Sequence, residues 1–427
     1  MSKIKLLVRV ESKLRTTDAD GQEQVFPVRA TGHLEFAERL ISESERQSLV
    51  ARDYQVAKSE VAGGAVTETS ELSPTRHLVT LLRDDEGITR HALAGEMTHM
   101  ELEVISPPGD LTAAYRLLPN KMLKVGERWQ PSHEAIRDLL NFETVGVNET
   151  KIELVKIERG LATMKLTGQV QGMAQGAVAR VQITGDVRYD LNWRRINWVQ
   201  LAIDDQREAG PSSPASRSVL EMRMLVEPLQ AHGPLEAPAI ANLRPDTLRE
   251  ATLLTYDSSS GFRFQHGTDW VPIADQQQRA VLRLVQGDQA IGQCQISRLT
   301  SHPAGKQTSL EEFERDVKSA LGTRLVKMVS ANQAERADGL RLLRAVAQGT
   351  VEDVPIQWMY YHVSDDAGSR VSVVFTVELA HLDAFAANDH LITQSLIFTA
   401  APTPAGPTSP TTAASPETAG RTVGPRR

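Results

Sequence analysis

From Phe142 to Glu227 apolar and polar side chains alternate with a period of two, and no other feature of the chain restricts its fold as tightly. Met164, Leu166 and Val170 share one strand face, as do Val181, Ile183, Val187, Tyr189 and Leu191, and then Leu220, Met222, Met224 and Val226. Arg180, Gln182, Thr184, Asp186, Arg188 and Asp190 occupy the alternate positions. Successive side chains of a strand point to opposite sides, so this pattern requires a sheet with one dry face and one wet face. Only short turn clusters separate the runs, at Glu158-Arg159-Gly160, Gly172 to Gly176 and Asn192 to Arg195. Such turns suit antiparallel hairpins rather than crossover helices. The stretch is therefore expected to be a meander of long strands.

Upstream, Ile4 to Leu14, Gln24 to Leu40, Tyr54 to Val61, His77 to Leu82 and Met97 to Ile105 read as further strands, and Leu111 to Leu118 and Ser132 to Leu140 as short helices. Gly233-Pro234, Pro238 and Pro245 punctuate residues 230–249, which read as a linker. Beyond it the pattern is mixed. Strands are expected at Gly261 to Phe264, Ala280 to Gln286, Ile291 to Leu299, Leu325 to Val329, Leu340 to Gln348, Gln357 to Val363 and Arg370 to Glu378. Ser309-Leu-Glu-Glu312 is a capping box, followed at helical spacing by Leu310, Phe313, Val317 and Leu321. A second helix is expected from Leu382 to Leu396. The fold class is α+β: a β-rich domain over residues 1–229, as a meander or half-barrel with short helices, and an α-β-α sandwich on an antiparallel sheet over 250–399. The last segment, 400–427, is nearly all Pro, Ala, Thr, Ser and Gly and is expected to be disordered.

Charge narrows the function classes. The chain of 427 residues has 47 basic and 54 acidic side chains, a net −7 spread along its length, with no basic stripe for a nucleic-acid backbone. No apolar run approaches the roughly 20 residues that cross a bilayer as a helix. Cys294 is the single cysteine, so an intramolecular disulfide and thiolate-cluster metal sites are excluded. As written, the N-terminus has no secretory signal and the product is cytoplasmic. Yet Ile4, Leu6, Val8 and Val10 already form a strand face. That abrupt start suggests a start codon assigned downstream of the true one, a lost export signal, and a periplasmic or envelope location.

Gly261-Phe-Arg-Phe264 followed by Trp270, the capped helix, and the Trp358 to Glu378 hairpin ending in a helix resemble the PsbP-like fold, an α-β-α sandwich also seen in DcrB-type bacterial envelope proteins. The resemblance spans 252–398 and implies a binding or adaptor domain without a conserved catalytic set. Leu117-Leu-Pro119, Val125-Gly-Glu-Arg-Trp129 and the meander look like β-rich proteins of planctomycete bacteria. The strand pattern is also similar to the LolA and LppX half-barrels, which hold lipid against a concave apolar sheet. A lipid-modified cysteine near the N-terminus is absent.

The densest titratable cluster is His91, Glu96, His99, Glu101 and Glu103. A metal site is one reading. The other is a solvated strand face, favoured because no H-E-x-x-H occurs and because Met100, Leu102 and Val104 alternate with the polar residues. Ala304-Gly-Lys306-Gln307 lacks the glycine and the Ser/Thr of a phosphate loop. Ser212-Ser213, with no G-x-S-x-G around it, reads as a loop. Asp204, Asp205 and Glu208 offer paired carboxylates for acid–base work, with surface charge as the simpler reading. Cys294 shares a strand face with Ile296 and reads as an inert core thiol. Trp193, Trp198, Trp358, Tyr360 and Tyr361 are candidates for ligand stacking; core packing suits Trp129, Trp270 and Trp358 better.

No residue is designated catalytic, cofactor-binding or metal-binding. The leading expectation is a non-enzymatic binding or adaptor protein of the bacterial cell envelope, with a protein partner or an apolar ligand. The alternative is a carrier of lipid or another apolar ligand between the meander and the helices near Leu111 to Leu140. A metal-dependent hydrolase using His91 and His99 is the third reading.

Overall fold

The computed structural model describes residues 1–17, 22–44, 47–84, 87–211, 213–244, 253–276, 279–287 and 289–399. The expected tail at 400–427, the end of the expected linker and Ser212 lie outside the described residues.

The N-terminal half contributes β1 (Ser2–Thr17), β2 (Glu23–Glu43), β3 (Ser48–Gly63), β4 (Val66–Glu71), β5 (Leu78–Asp84), β6 (Gly87–Ala92), β7 (Met97–Thr98) and β8 (Arg128–Trp129). The meander follows as β9 (Thr144–Asn148), β10 (Lys151–Glu158), β11 (Leu161–Ala174), β12 (Ala177–Asp190), β13 (Arg195–Arg207) and β14 (Ala215–Pro228). All of these except β7 form one open sheet of 13 strands, in the order β6-β5-β3-β2-β1-β14-β13-β12-β11-β10-β8, with β4 beside β3 and β9 beside β11. The meander is present as expected. β1 lies at the centre, pairing Ile4 with Phe36 on one side and with Val226 on the other, so the first strand joins the upstream hairpins to the meander.

The alternation decides which face is covered. Ile4, Leu6, Phe36, Ile183, Leu201 and Met222 point to an inner face and form one core with Ile105, Leu111, Leu117, Ile136 and Leu139. Each such side chain contributes about 1.5–3 kcal/mol through burial. The cover is a short stretch of chain: α1 (His99–Val104), a 3-10 turn (Leu111–Leu117) and α2 (His133–Leu140). Leu191 departs from its expected face, because the strand ends at Asp190 and Leu191 is exposed in the turn.

The expected strand from Met97 to Ile105 is a correction: only Met97–Thr98 is extended, and His99–Val104 is helical. Over six residues a period of two and a helical period are hard to separate, and the capping chemistry decides. The Glu101 amide donates to the Thr98 hydroxyl at 3.1 Å, and the Thr98 amide donates to the Glu101 carboxylate at 2.8 Å. Replacing Thr98 by Ala removes one half of this box and is expected to cost about 1 kcal/mol, measurable as a lower urea midpoint with an unchanged m-value.

Residues 230–249, read as a linker, pack where they are described. α3 (Gly233–Glu236) and α4 (Pro238–Ala241) bury Leu235 and Ile240 against Ala37 and Ala51 on the outer face of β2 and β3.

The C-terminal half contributes β15 (Leu253–Ser258), β16 (Phe262–Gly267), β17 (Trp270–Gln276), β18 (Arg279–Gln286), β19 (Gln289–Arg298), β20 (Leu325–Glu335), β21 (Arg341–Val351), β22 (Val354–Ser364), β23 (Arg370–Glu378) and β24 (Ile397–Phe398). Seven of them form a second sheet, ordered β17-β18-β19-β23-β22-β21-β20. The capped helix, α5 (Leu310–Leu321), lays Phe313, Val317 and Leu321 on one face against Leu343, Ala345 and Trp358. On the other face Trp270, Phe375, Phe385, Ile392 and Leu396 form a separate core. The helix expected from Leu382 to Leu396 is split into α6 (Leu382–Phe385) and α7 (Asn388–Ser395), because Ala386 adopts a φ of 47° that no helix accommodates. β16 pairs with β24 and with β15, and β15 also pairs in parallel with β7, tying the two halves together. The protein is thus β-rich with few helices, and its described sheets are open and otherwise antiparallel.

Candidate functional site

Between the inner face of the large sheet and the Leu111–Leu117 turn, packing leaves a cavity of about 400 Å³. Ligand pockets span about 300–1,000 Å³, so the space is large enough for a small molecule or part of a chain. Ile4, Val50, Leu81, Leu111, Ile196 and Met224 line it with apolar surface. Strand phase then places two guanidinium groups in the same wall. Arg52 follows Val50 by two residues on β3, and Arg83 follows Leu81 by two on β5, so both side chains turn inward.

These charges are held by a small set of partners. The Arg52 Nε–H donates to Glu38 Oε2 at 2.8 Å, a terminal N–H donates to Thr112 Oγ1 at 2.9 Å, and the guanidinium lies 4.6 Å from the Phe36 ring centre. Arg83 donates to Asp110. Asp110 in turn caps the 3-10 turn, accepting from the Thr112 amide at 3.0 Å. The roof of the cavity is therefore tied to its floor through ions rather than through apolar packing alone. Arg90, on β6, is a third buried guanidinium beside them. The Tyr54 hydroxyl and the Nε–H groups of Arg83 and Arg90 are buried without a partner among the described residues.

Burial works against every one of these charges. For Asp110 it pushes the carboxyl up, but Arg83 and Arg52, helped by the Thr112 hydroxyl, outweigh it and hold the group below the usual carboxylate range. Burial likewise opposes the Arg52 charge, and Tyr54, Glu38 and Asp110 together keep it above its ordinary value. For Arg90 burial wins, aided by its like-charged neighbours, and the guanidinium is pushed down to about 10. It still carries its charge at neutral pH. Buried ions contribute little net stability, so a cluster of this kind beside a cavity marks a candidate site.

The residues singled out from the sequence lie elsewhere. Glu101 is occupied by the α1 capping box and by Arg76, whose terminal N–H donates at 2.8 Å, and His99 pairs with Glu103 at 3.1 Å on the same helix. Glu96 accepts from the Gln265 amide at 2.9 Å, and burial lowers the His91 pKa. Among the described residues no group of three or more His, Cys, Asp or Glu side chains stands ready for a metal ion. Asp204 and Asp205 cannot act as a pair, because adjacent strand residues face opposite ways. Asp204 binds exposed Arg217 at 2.8 Å, Asp205 is buried against Arg207 at 2.8 Å, and Glu208 meets Arg180 at 2.9 Å.

Cys294 is fully buried and burial pushes its thiol up. Ser213 lies in a turn, its carbonyl accepting from the Gly210 amide, and Lys306 is exposed. Trp270 and Trp358 are core residues, while Trp129 is half-buried and its indole N–H donates to the Leu117 carbonyl at 2.8 Å. Trp193 and Trp198 stack under Arg195 and Arg188. Tyr360 packs toward α5, and the Tyr361 hydroxyl donates to buried Asp389 on the opposite face.

Sequence reasoning missed Arg52, Arg83, Arg90 and Asp110. A signal for Arg83 existed: it continues the phase of Val79 and Leu81, so a charge stands where an apolar residue is due.

No protein-family model and no curated protein matches the chain. Among solved structures, cyanobacterial PsbP (CyanoP) from Synechocystis sp. PCC 6803 is weakly similar, with 14% identity over 34% of this chain and 92% of its own, at a TM-score of 0.28. OccAB1 of Acinetobacter baumannii aligns over 88% of this chain and 96% of its own, with 8% identity and a TM-score of 0.14. The translocator domain of the autotransporter NalP from Neisseria meningitidis aligns over 88% and 87%, with 7% identity and a TM-score of 0.13. Likenesses of this size carry no functional argument. Neither the family models nor the curated proteins support the LolA, LppX or planctomycete resemblance. Among the described residues no helix is long and apolar enough to cross a membrane.

Proposed function

We propose that this is a non-enzymatic binding protein of the bacterial cell envelope that carries an apolar or amphipathic ligand in the cavity beneath the Leu111–Leu117 turn. The observation that carries the reading is the cavity itself: about 400 Å³ lined mainly by apolar surface from seven strands and the turn that roofs them, with the Arg52 and Arg83 guanidinium groups in its wall. Close-packed interiors leave few voids larger than a water molecule, and a partner-binding adaptor has no need of one. Under this reading the large sheet acts as a half-barrel over residues 1–229, residues 230–249 join it to the second domain, and 250–399 form a PsbP-like sandwich. Support for the last point is the seven-stranded sheet held between α5 and the α6–α7 pair.

Organic extracts of gently purified protein, analysed by mass spectrometry, are expected to contain a stoichiometric ligand. Val50→Trp places an indole in the cavity and is expected to lower the affinity for a fluorescent fatty acid by about tenfold or more, a loss of at least about 1.4 kcal/mol. Protein with no extractable ligand and no affinity for the probe would retire the proposal.

A further inference from the structure

We infer that Arg90 marks a second binding site, for a small ligand bearing an oxyanion, either carboxylate or phosphate, at the junction of the two halves. Arg90 is only 8% exposed, and its Nε–H meets no acceptor. Asp110, Arg52 and Arg83 act on it through their charge, without a hydrogen bond. It lines a second cavity, of about 410 Å³, with Thr89 and Ser106 on its own side and Asp269, Trp270 and Asn388 across the junction. The Ser106 hydroxyl is also buried without a partner. Arg90 and Ser106 thus belong to one wall of this cavity, and each keeps a polar atom sealed in that wall without a partner.

The charge count points the same way. Arg52, Arg83 and Arg90 stand against Glu38 and Asp110, and the hydrogen bonds of both carboxylates go to the other two arginines and to Thr112. Among these five groups one positive charge is left over, and it is Arg90; the one carboxylate in its own cavity, Asp269, lies across the junction. A guanidinium is removed from water at great cost unless an anion meets it, and its planar fork matches carboxylate and phosphate oxygens. Asp269 is exposed and lines the same cavity, so its charge opposes a second anionic group on the ligand. The inference is independent of the ligand in the cavity beneath the Leu111–Leu117 turn.

The test is calorimetric titration of the full chain with sodium phosphate and, separately, sodium acetate, at constant ionic strength. Saturable binding is expected for at least one of them: phosphate alone assigns a phosphate group, acetate alone a carboxylate, and both a general oxyanion site. Arg90→Gln is expected to weaken that binding about ten- to a hundredfold, as the loss of a charged hydrogen-bond partner implies. Arg217→Gln, on the exposed sheet face, and Val50→Trp, in the other cavity, are expected to leave it unchanged. If Arg90→Gln fails to fold, Arg90→Lys keeps the charge, loses the fork and must still bind more weakly. No saturable binding of either anion, or wild-type affinity in a folded Arg90 variant, overturns the inference.

Discussion

Asp110→Asn is expected to lower the unfolding free energy by about 3–5 kcal/mol, the range found when one partner of a buried ion pair is removed. The side chain keeps its shape and can still accept from the Thr112 amide, so the loss isolates charge. Arg83 then has no counter-ion, and Arg52 and Arg90 lose the carboxylate that offsets their mutual repulsion. A neutral amide also caps the Leu111–Leu117 turn less strongly than a carboxylate, a further effect of the same lost charge. Urea unfolding at neutral pH measures the effect. Asp204→Asn supplies the contrast: its pair with Arg217 is solvated on the outer face, and its removal is expected to leave the midpoint unchanged within error. Equal, small shifts for the two variants would mean that the arginine cluster is not closed against water.

Acid is expected to have an effect of similar size. His266 is fully buried, its Nδ1 lies 2.9 Å from the Gly267 carbonyl oxygen, and its Nε2 has no partner. Burial, with a smaller contribution from His99, pushes its pKa down to about 4. His362 is also buried, with both nitrogens unpartnered and Arg370, His302 and Arg341 nearby, and is likewise pushed down to about 4. In the unfolded chain both titrate near 6.5. Between 6.5 and 4 the unfolded state therefore binds protons that the native state refuses, and stability falls as pH drops through this window. The difference is about 3 kcal/mol for each histidine at its lower end. Asp110, Asp53 and Glu101 have lowered pKa values, so they add a further loss as pH falls from their ordinary values toward their folded ones. Urea midpoints at a series of pH values from 7.5 to 4 test the histidine contribution, and points below 4 the carboxylate one. In the double variant His266→Gln, His362→Gln the slope between 6.5 and 4 is expected to flatten; an unchanged slope would assign the acid sensitivity elsewhere.

Much of the architecture was legible in the residues because its causes are local. The alternation at Val181, Ile183 and Val187 specifies strand and face together, and short turns leave only antiparallel pairing. Ser309 and Glu312 announce α5 as plainly in the sequence as in the structure. Where local signals were brief or in conflict, the reading failed. His99–Val104 alternates like a strand and is a helix, and Leu382–Leu396 looks like one helix and is two. Gly233 to Ala241 has the punctuation of a linker, and what that punctuation leaves out is that it buries Leu235 and Ile240 on a surface whose existence nothing nearby in the chain reveals.

Apart from the phase of Arg83, the candidate site was not legible, for a related reason. Arg52, Arg83, Arg90 and Asp110 come from three strands and a turn, and taken singly all but Arg83 look like ordinary surface charges. Side-chain period and turn chemistry act over a few residues, so the sequence by itself determined the strands, the wet and dry faces and the capped helix. The placement of β1 between β2 and β14, the roof made by Leu111–Leu117, and the gathering of three guanidinium groups around one carboxylate were decided only in the tertiary structure. Burial and charge pairing depend on what lies across a cavity, and groups facing one another there can be many tens of residues apart along the chain.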